Sequence, residues 1–341
     1  MADNLLDLAV PKVLDAYSFP FLPRRLAHGN AGGFSGSRIW QILMVAGDLC
    51  LKAWPNFQEA KRLNQIHGWM EAAFESGTKL TPVVYRKGEG EKSHFHAGRL
   101  WNLTQWMPGQ ADFHANPSLP RLKAACHALA QLHEAWSAES TTAIPPSVQH
   151  RLESARKWEE AVRRGWRPMV TPDDLDPVSP IARRIWSLLP PFLPEIEMRL
   201  QCWTEPRRLQ PCLCDIWHDH VLFIGDNVSG IIDYGSMRID TPATDLARML
   251  GSLVGGDLSM WNAGFAAYRE IRPLDDAEAT LARVLDWTGV ILGAANWLHR
   301  LYFQNWLYEN RELVAKRMQT LVERMEYFAS SALWGKAFGC L

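Results

Sequence analysis

The chain is predicted to be an α+β protein of two lobes, a small β-rich lobe over residues 1–107 and a larger helical lobe over residues 108–341. Three observations predict it. Apolar runs of strand length, separated by glycine turns, crowd the first hundred residues. Apolar residues at helical spacing dominate after the breaker Pro108-Gly109. One short β-like insert, HVLFIGDNVSGIIDYG, interrupts the helices at residues 220–235.

The elements follow in order. GNAGGFSGSRIWQILMVAGDLCLKAWP begins with a glycine-rich turn and continues as two apolar runs either side of Gly47-Asp48, the pattern of a hairpin. NFQEAKRLNQIHGWMEAAFESG has helical spacing and is closed by Gly77. TPVVYRK and RLWNLTQWM read as further strands. Beyond Pro108 the segments LPRLKAACHALAQLHEAW, SVQHRLESARKWEEAVRRGW and PVSPIARRIWSLLPPFLPEIEMRLQCW read as helices, the last interrupted by prolines. The stretch from Ala282 onward reads as one or two long helices. No repeat or low-complexity tract is present.

Composition narrows the function classes. With 341 residues and 47% hydrophobic content the chain can bury a sizeable core. Its 36 basic and 37 acidic residues nearly cancel, which argues against a nucleic-acid partner. The uncharged run from Trp287 to Leu298 is too short to span a bilayer, so no membrane partner is expected. MADNLLDLAV lacks the basic start of a secretory leader, and six scattered cysteines show no disulfide spacing. A cytoplasmic protein with free thiols is expected.

The chemistry gathers in CLCDIWHDHVLFIGDNVSGIIDYG. Asp215 precedes His220 by five residues, and Asp233 follows His220 by thirteen, across the hairpin. A metal-dependent phosphoryl transferase needs these parts in this order: an acid that orients the attacking hydroxyl, a metal ligand, and a second carboxylate on the metal. Upstream, the glycine-rich turn with Gly33, Ser35 and Gly36 can lay backbone N–H groups over phosphates. Lys52 sits one hairpin later, where a cation for the α- and β-phosphates belongs, and Glu59 opens the next helix as its ion-pair partner, with Glu71 a rival. A different reading makes Cys212, Cys214, His218 and His220 a zinc cluster, although structural sites usually space paired cysteines more widely.

These motifs resemble the aminoglycoside phosphotransferase and choline kinase-like family of small-molecule kinases, relatives of protein kinases, over most of the chain. The family loop reads H-G-D-x-H-x-x-N-V-L-F, followed by a hairpin, I-D-F/W-G and D-L-A. Here Asp215, Val221-Leu222-Phe223, Asp233 with Gly235, and Asp245-Leu246-Ala247 match it. Leu213 and Cys214 replace its histidine and glycine, and His220 replaces its asparagine. GGFSGSRIW is similar to its nucleotide loop without the loop's asparagine, and WNLTQWMPG to its hinge, where Gln105 and Met107 would meet adenine. The resemblance implies a bilobal protein kinase-like fold and ATP with Mg²⁺ or Mn²⁺. It assigns Asp215 the catalytic role, His220 and Asp233 the metal, and Asp245 structural support. The substrate would be a small hydroxylated molecule. A nucleotide-binding pseudokinase without turnover is the alternative.

Overall fold

The computed structural model describes residues 2–17, 25–26, 30–32, 36–88, 90–170, 176–308 and 310–331. In chain order its elements begin with α1 (Ala2–Asp15), β1 (Arg25–Leu26), β2 (Asn30–Gly32), β3 (Ser37–Leu43), β4 (Leu49–Ala53) and α2 (Ala60–Glu75). Next come β5 (His94–His96), β6 (Arg99–Gln105), α3 (Leu119–Ala135), β7 (Thr141–Ala143), α4 (Pro146–Arg163), α5 (Ser179–Gln201) and β8 (Arg207–Cys212). The chain continues with β9 (Val221–Ile224), β10 (Asn227–Ile231), β11 (Arg238–Asp240), α6 (Ala243–Val254), α7 (Leu258–Arg269), α8 (Asp276–Leu298) and α9 (Arg311–Ser330).

These elements form two compact units, residues 1–138 with 218–238, and residues 139–217 with 239–341. The division differs from a boundary after Met107, because the β9–β10 hairpin and α3 belong to the first unit. Gln110 and Phe223 exchange backbone hydrogen bonds at 3.0 and 2.9 Å, which ties the segment after β6 to the hairpin. The fit there is close: a Cβ on Gly230 would lie 2.6 Å from Cε of Met107. A side chain there would displace the Met107 side chain.

In the first unit an antiparallel sheet runs β1-β3-β4-β6-β5, with β2 also on β3. Period-two alternation decides its faces. Leu49, Leu51 and Ala53 of β4 are buried, and with Trp40, Trp101 and Leu103 they pack against Leu6, Val10 and Val13 of α1. Cys50 and Lys52 therefore point to the opposite face. Trp40 stacks on Trp101 at 5.1 Å and donates Nε1–H to Asp7 at 2.7 Å. TPVVYRK does not form the expected strand. It contributes an isolated bridge, Val84 to Thr104, and a bond from Tyr85 N–H to Leu103. Pro82 lacks the donor that a regular ladder would use.

The second unit centres on α8, whose face through Leu281, Leu285, Thr288, Ile291 and Ala295 is buried, and α4, α5, α6 and α9 pack against it. α5 stays one helix although Pro190, Pro191 and Pro194 lie inside it. Burial of Leu189, Phe192, Leu193 and Ile196 outweighs the lost backbone bonds. Buried carboxylates tie this unit together. Asp286 of α8 holds Arg324 of α9 with bonds of 3.1 and 2.6 Å, and Asp240 accepts from Ser147 Oγ at 2.7 Å. Among the described residues no helix is long and apolar enough to cross a membrane.

Candidate active site

In the first unit, Lys52 donates Nζ–H to Oδ1 of Asp233 at 3.0 Å, a pair closed across 181 residues of chain. β4 fixes the lysine: Lys52 lies opposite Ile39 of β3 and Asn102 of β6, with Nζ 4.2 Å from the Trp54 ring centre. Asn102 in turn accepts Nε1–H of Trp54 at 2.6 Å, so the ring beneath the ammonium is held as well. Asp233 follows β10 with φ +60°, the left-handed backbone that aspartate tolerates better than most residues. Its Oδ1 also accepts from Gly235 N–H at 3.4 Å. Gly235 has little room for a side chain, since a Cβ would lie 3.2 Å from the Trp54 ring.

His220 closes the group, with Nε2 3.8 Å from Oδ2 of Asp233. Its carbonyl accepts Ile232 N–H at 3.0 Å, a bond that keeps the two ends of the hairpin in step. Burial pushes the Asp233 carboxyl up. The Lys52 ammonium, His220 and the Gly235 N–H outweigh it and hold the carboxyl below the usual aspartate range.

The ion pair expected between Lys52 and Glu59 is not formed, because the lysine is taken by Asp233. Glu59 stands exposed at the N-cap of α2 in extended backbone, without a side-chain capping bond. Its rival Glu71 instead holds Arg86 at 2.6 Å and Lys92. Gly36 lies in the β2–β3 turn at φ +76°, and its carbonyl accepts from Arg99 at 2.8 Å. Gly33 and Ser35 lie outside the described residues. At the hinge, Gln105 N–H bonds Val83, Trp106 N–H bonds Asp48, and Met107 is buried.

In the second unit, β8 leads into the loop that carries Asp215. Asp245, fully buried at the start of α6, accepts Leu213 N–H at 2.7 Å and Cys214 N–H at 2.6 Å. One carboxylate thus satisfies two successive amides. Cys214 adopts φ +63°, a conformation that suits the glycine of the resembled loop. The substitution therefore leaves strained backbone immediately before Asp215. Cys212 is buried, and burial first, then the Asp245 charge, push its thiol well above the ordinary range. Asp215 itself is half-exposed, and its Oδ1 accepts Nε–H of Arg248 at 3.1 Å. Arg248 and the neighbouring Trp217 were not singled out by motif reasoning. Arg248 follows Asp245-Leu246-Ala247 directly, and that adjacency was the available signal.

A fold of this kind, with a lysine-bearing antiparallel sheet and a catalytic-type loop tied by a buried aspartate, is that of the kinase-like phosphotransferases. Residues 27–284 match the phosphotransferase enzyme family, and the chain belongs to it. A homoserine kinase of Methylocella silvestris is 35% identical over 99 residues, 24% of this chain and 31% of that protein. The chain spans less than half the length of the curated relatives it matches. Among solved structures, spectinomycin phosphotransferase in complex with ADP and spectinomycin covers 98% of this chain and 97% of its own, with TM-score 0.63 and 15% identity. A microcompartment-associated aminopropanol kinase covers 95% and 98%, with TM-score 0.61 and 13% identity. At these identities the structures share the fold.

Proposed function

We propose that the chain is a small-molecule kinase that moves the γ-phosphate of ATP to a hydroxyl. The observation that carries this is Asp233, fixed between Lys52 and His220 at the end of the hairpin. That donor set fits a divalent metal: a carboxylate and an imidazole nitrogen converge, and imidazole favours Mn²⁺ relative to Mg²⁺ more than an amide oxygen would. When bound, the metal neutralises charge on the phosphate oxygens. Lys52 contacts the α- and β-phosphates, and Gly33, Ser35, Gly36, Gln105 and Met107 belong to the nucleotide contacts. Asp215 orients the acceptor hydroxyl. The hydroxyl oxygen bonds the γ-phosphorus, the bond to the ADP oxygen breaks, and the hydroxyl proton passes to Asp215. The partner is a small molecule, with neither nucleic acid nor membrane, and the five free thiols of the described residues suit the cytoplasm.

The test is ADP release from ATP across a panel of hydroxylated metabolites, with Mg²⁺ and with Mn²⁺. A second reading, a nucleotide-binding protein without turnover, is favoured by His220 at the position of the resembled loop's asparagine. Calorimetric binding of a non-hydrolysable ATP analogue without ADP release from any acceptor would establish that reading instead.

A further inference from the structure

Lys52 and the glycine-rich turn are tied to each other through Trp54 and through a side chain that no motif includes, Arg99. The strands run in the order β3-β4-β6, and their ladders end with Arg38 opposite Ala53 and Ala53 opposite Trp101. Arg99 is the first residue of β6. Its side chain spans that end of the sheet. Nη1–H groups donate to the Trp54 carbonyl, just past β4, at 3.1 Å and to the Gly36 carbonyl, just before β3, at 2.8 Å. The same Trp54 places its indole 4.2 Å from Lys52 Nζ and donates Nε1–H to the buried Asn102 at 2.6 Å.

Packing does not account for the turn at Gly36. Among the described residues, a Cβ built there would meet nothing within 4 Å. At φ +76° the backbone has a freedom that other residues lack, and the bond from Arg99 is the side-chain contact that locates its carbonyl. That bond is exposed, so water would replace it at little cost to folding. Loss of Arg99 would therefore leave the fold and free the turn. The indole has a matching use. A metal on Asp233 competes with Lys52 for the carboxylate, whereas the neutral ring face keeps attracting the ammonium. The hinge residues Gln105 and Met107 lie at and beyond the other end of β6, remote from both devices.

We propose, resting on the phosphotransfer reading, that Arg99 and Trp54 are positioning residues for the phosphate end of the nucleotide site. Arg99 holds the glycine-rich turn against the end of β4, and Trp54 presents Lys52 to the phosphates beneath that turn. Both act through other groups: Arg99 through the Gly36 and Trp54 carbonyls, Trp54 through the Lys52 ammonium.

The experiment is calorimetric binding on the full chain, with adenosine beside a non-hydrolysable ATP analogue and Mg²⁺. Both ligands carry adenine for the hinge, and only the analogue carries phosphates for the turn and Lys52. Arg99→Gln should bind the ATP analogue about tenfold more weakly, with adenosine affinity within about twofold of wild type. Arg99→Lys keeps a charged donor and should recover part of the loss. Trp54→Phe keeps a ring beneath Lys52 and should lose less than Trp54→Leu. The melting temperature of Arg99→Gln should stay within about 2 °C of wild type, as for a surface substitution. Unchanged binding of the ATP analogue in Arg99→Gln, an equal loss for adenosine, a larger drop in melting temperature, or equal losses in Trp54→Phe and Trp54→Leu would each overturn the proposal. ADP release reads the other question. ADP release with a hydroxylated acceptor, from a wild type whose affinity for the ATP analogue does not depend on Arg99, keeps the kinase reading and sinks the proposal. A phosphate-specific loss in Arg99→Gln, with no ADP released by wild type from any acceptor, does the reverse. A wild type that binds neither ligand overturns both.

Discussion

The two units hold their functional carboxylates by opposite means. In the first, Asp233 is paired with a lysine that the sheet has already immobilised: Lys52 is 14% exposed, on a strand whose other face is apolar core. In the second, Asp215 is paired with Arg248, itself 48% exposed on a helix surface, and the loop owes its shape to Asp245, which is buried beneath it. The two carboxylates are almost equally open, at 46% and 45%. What differs is the counter-ion. A half-exposed ion pair contributes little stability and exchanges readily, so the Asp215–Arg248 pair can be re-partnered by an acceptor. The Lys52–Asp233 pair is part of the framework, and a nucleotide with its metal must adapt to it.

The largest expected effect separates the two carboxylates. Asp215→Asn keeps the loop's size but removes the proton acceptor, and turnover should fall by about 10²–10⁴-fold. Affinity for a metal-bound ATP analogue should be unchanged, because Asp233 and Lys52 belong to the other unit. A parallel loss of nucleotide affinity, read by calorimetry, would mean that the two carboxylates do not act as separate devices.

Asp245→Ala tests the anchor. Two amides would lose a charged acceptor, at a cost of about 3–5 kcal/mol. The melting temperature followed by circular dichroism should drop by roughly 6–12 °C, with activity lost in proportion to the loop's disorder. A variant that melts with wild type would show that the loop is held by something else.

Lys52→Met sharpens the other half. It strips Asp233 of the ammonium that does most to keep its carboxyl low and leaves His220 and the Gly235 N–H alone against burial. Binding of the ATP analogue with metal should weaken by about 2 kcal/mol. The hairpin, tied by backbone bonds between Phe223 and Gln110 and by the Ser229 hydroxyl donating to the Pro108 carbonyl, should keep its amide exchange protection. Intact affinity would remove Lys52 from the nucleotide site.

Much of this was legible in the chain. Strands β3, β4 and β6, helices α3 to α5 and the hairpin announce themselves because apolar period and turn residues are local signals. Asp215, Asp233, Lys52 and Asp245 stand in the chain as an ordered set of candidates. Helix α1 was passed over although Leu6, Val10 and Val13 have helical spacing, because its order depends on packing against Trp40 and Trp101 far along the chain. Partners were the least legible feature. Lys52 finds Asp233 across 181 residues and Asp215 finds Arg248 across 33, and no spacing rule reports such pairs. The backbone of Cys214 was hidden for the same reason, since Asp245 imposes it from α6.

The smallest expected effect comes from beneath the sheet. The second unit pairs its buried carboxylates Asp240, Asp245 and Asp286, whereas the first buries an imidazole and gives it no partner. His67 of α2 is 1% exposed, and neither ring nitrogen has a hydrogen-bond partner. Burial first, then the charge of Lys92, push its pKa down to about 3. The nearby Glu71 does not restore it, being engaged with Lys92 and Arg86. In the unfolded chain the same group titrates near 6.5. Between those values the unfolded state binds a proton that the folded state refuses, so stability falls as pH falls, by up to about 1.4 kcal/mol per unit below 6.5. His67→Leu removes the group and should flatten that limb between pH 6.5 and 5, as read from urea midpoints at each pH. Carboxylates such as Asp233, held low in the folded state, lose their contribution only at pH values below the ordinary aspartate range, so the two causes of acid sensitivity separate on the pH axis. If the variant loses stability over pH 6.5 to 5 as steeply as wild type, the acid-labile element lies elsewhere, and the first unit is no more sensitive to a proton in that range than the second.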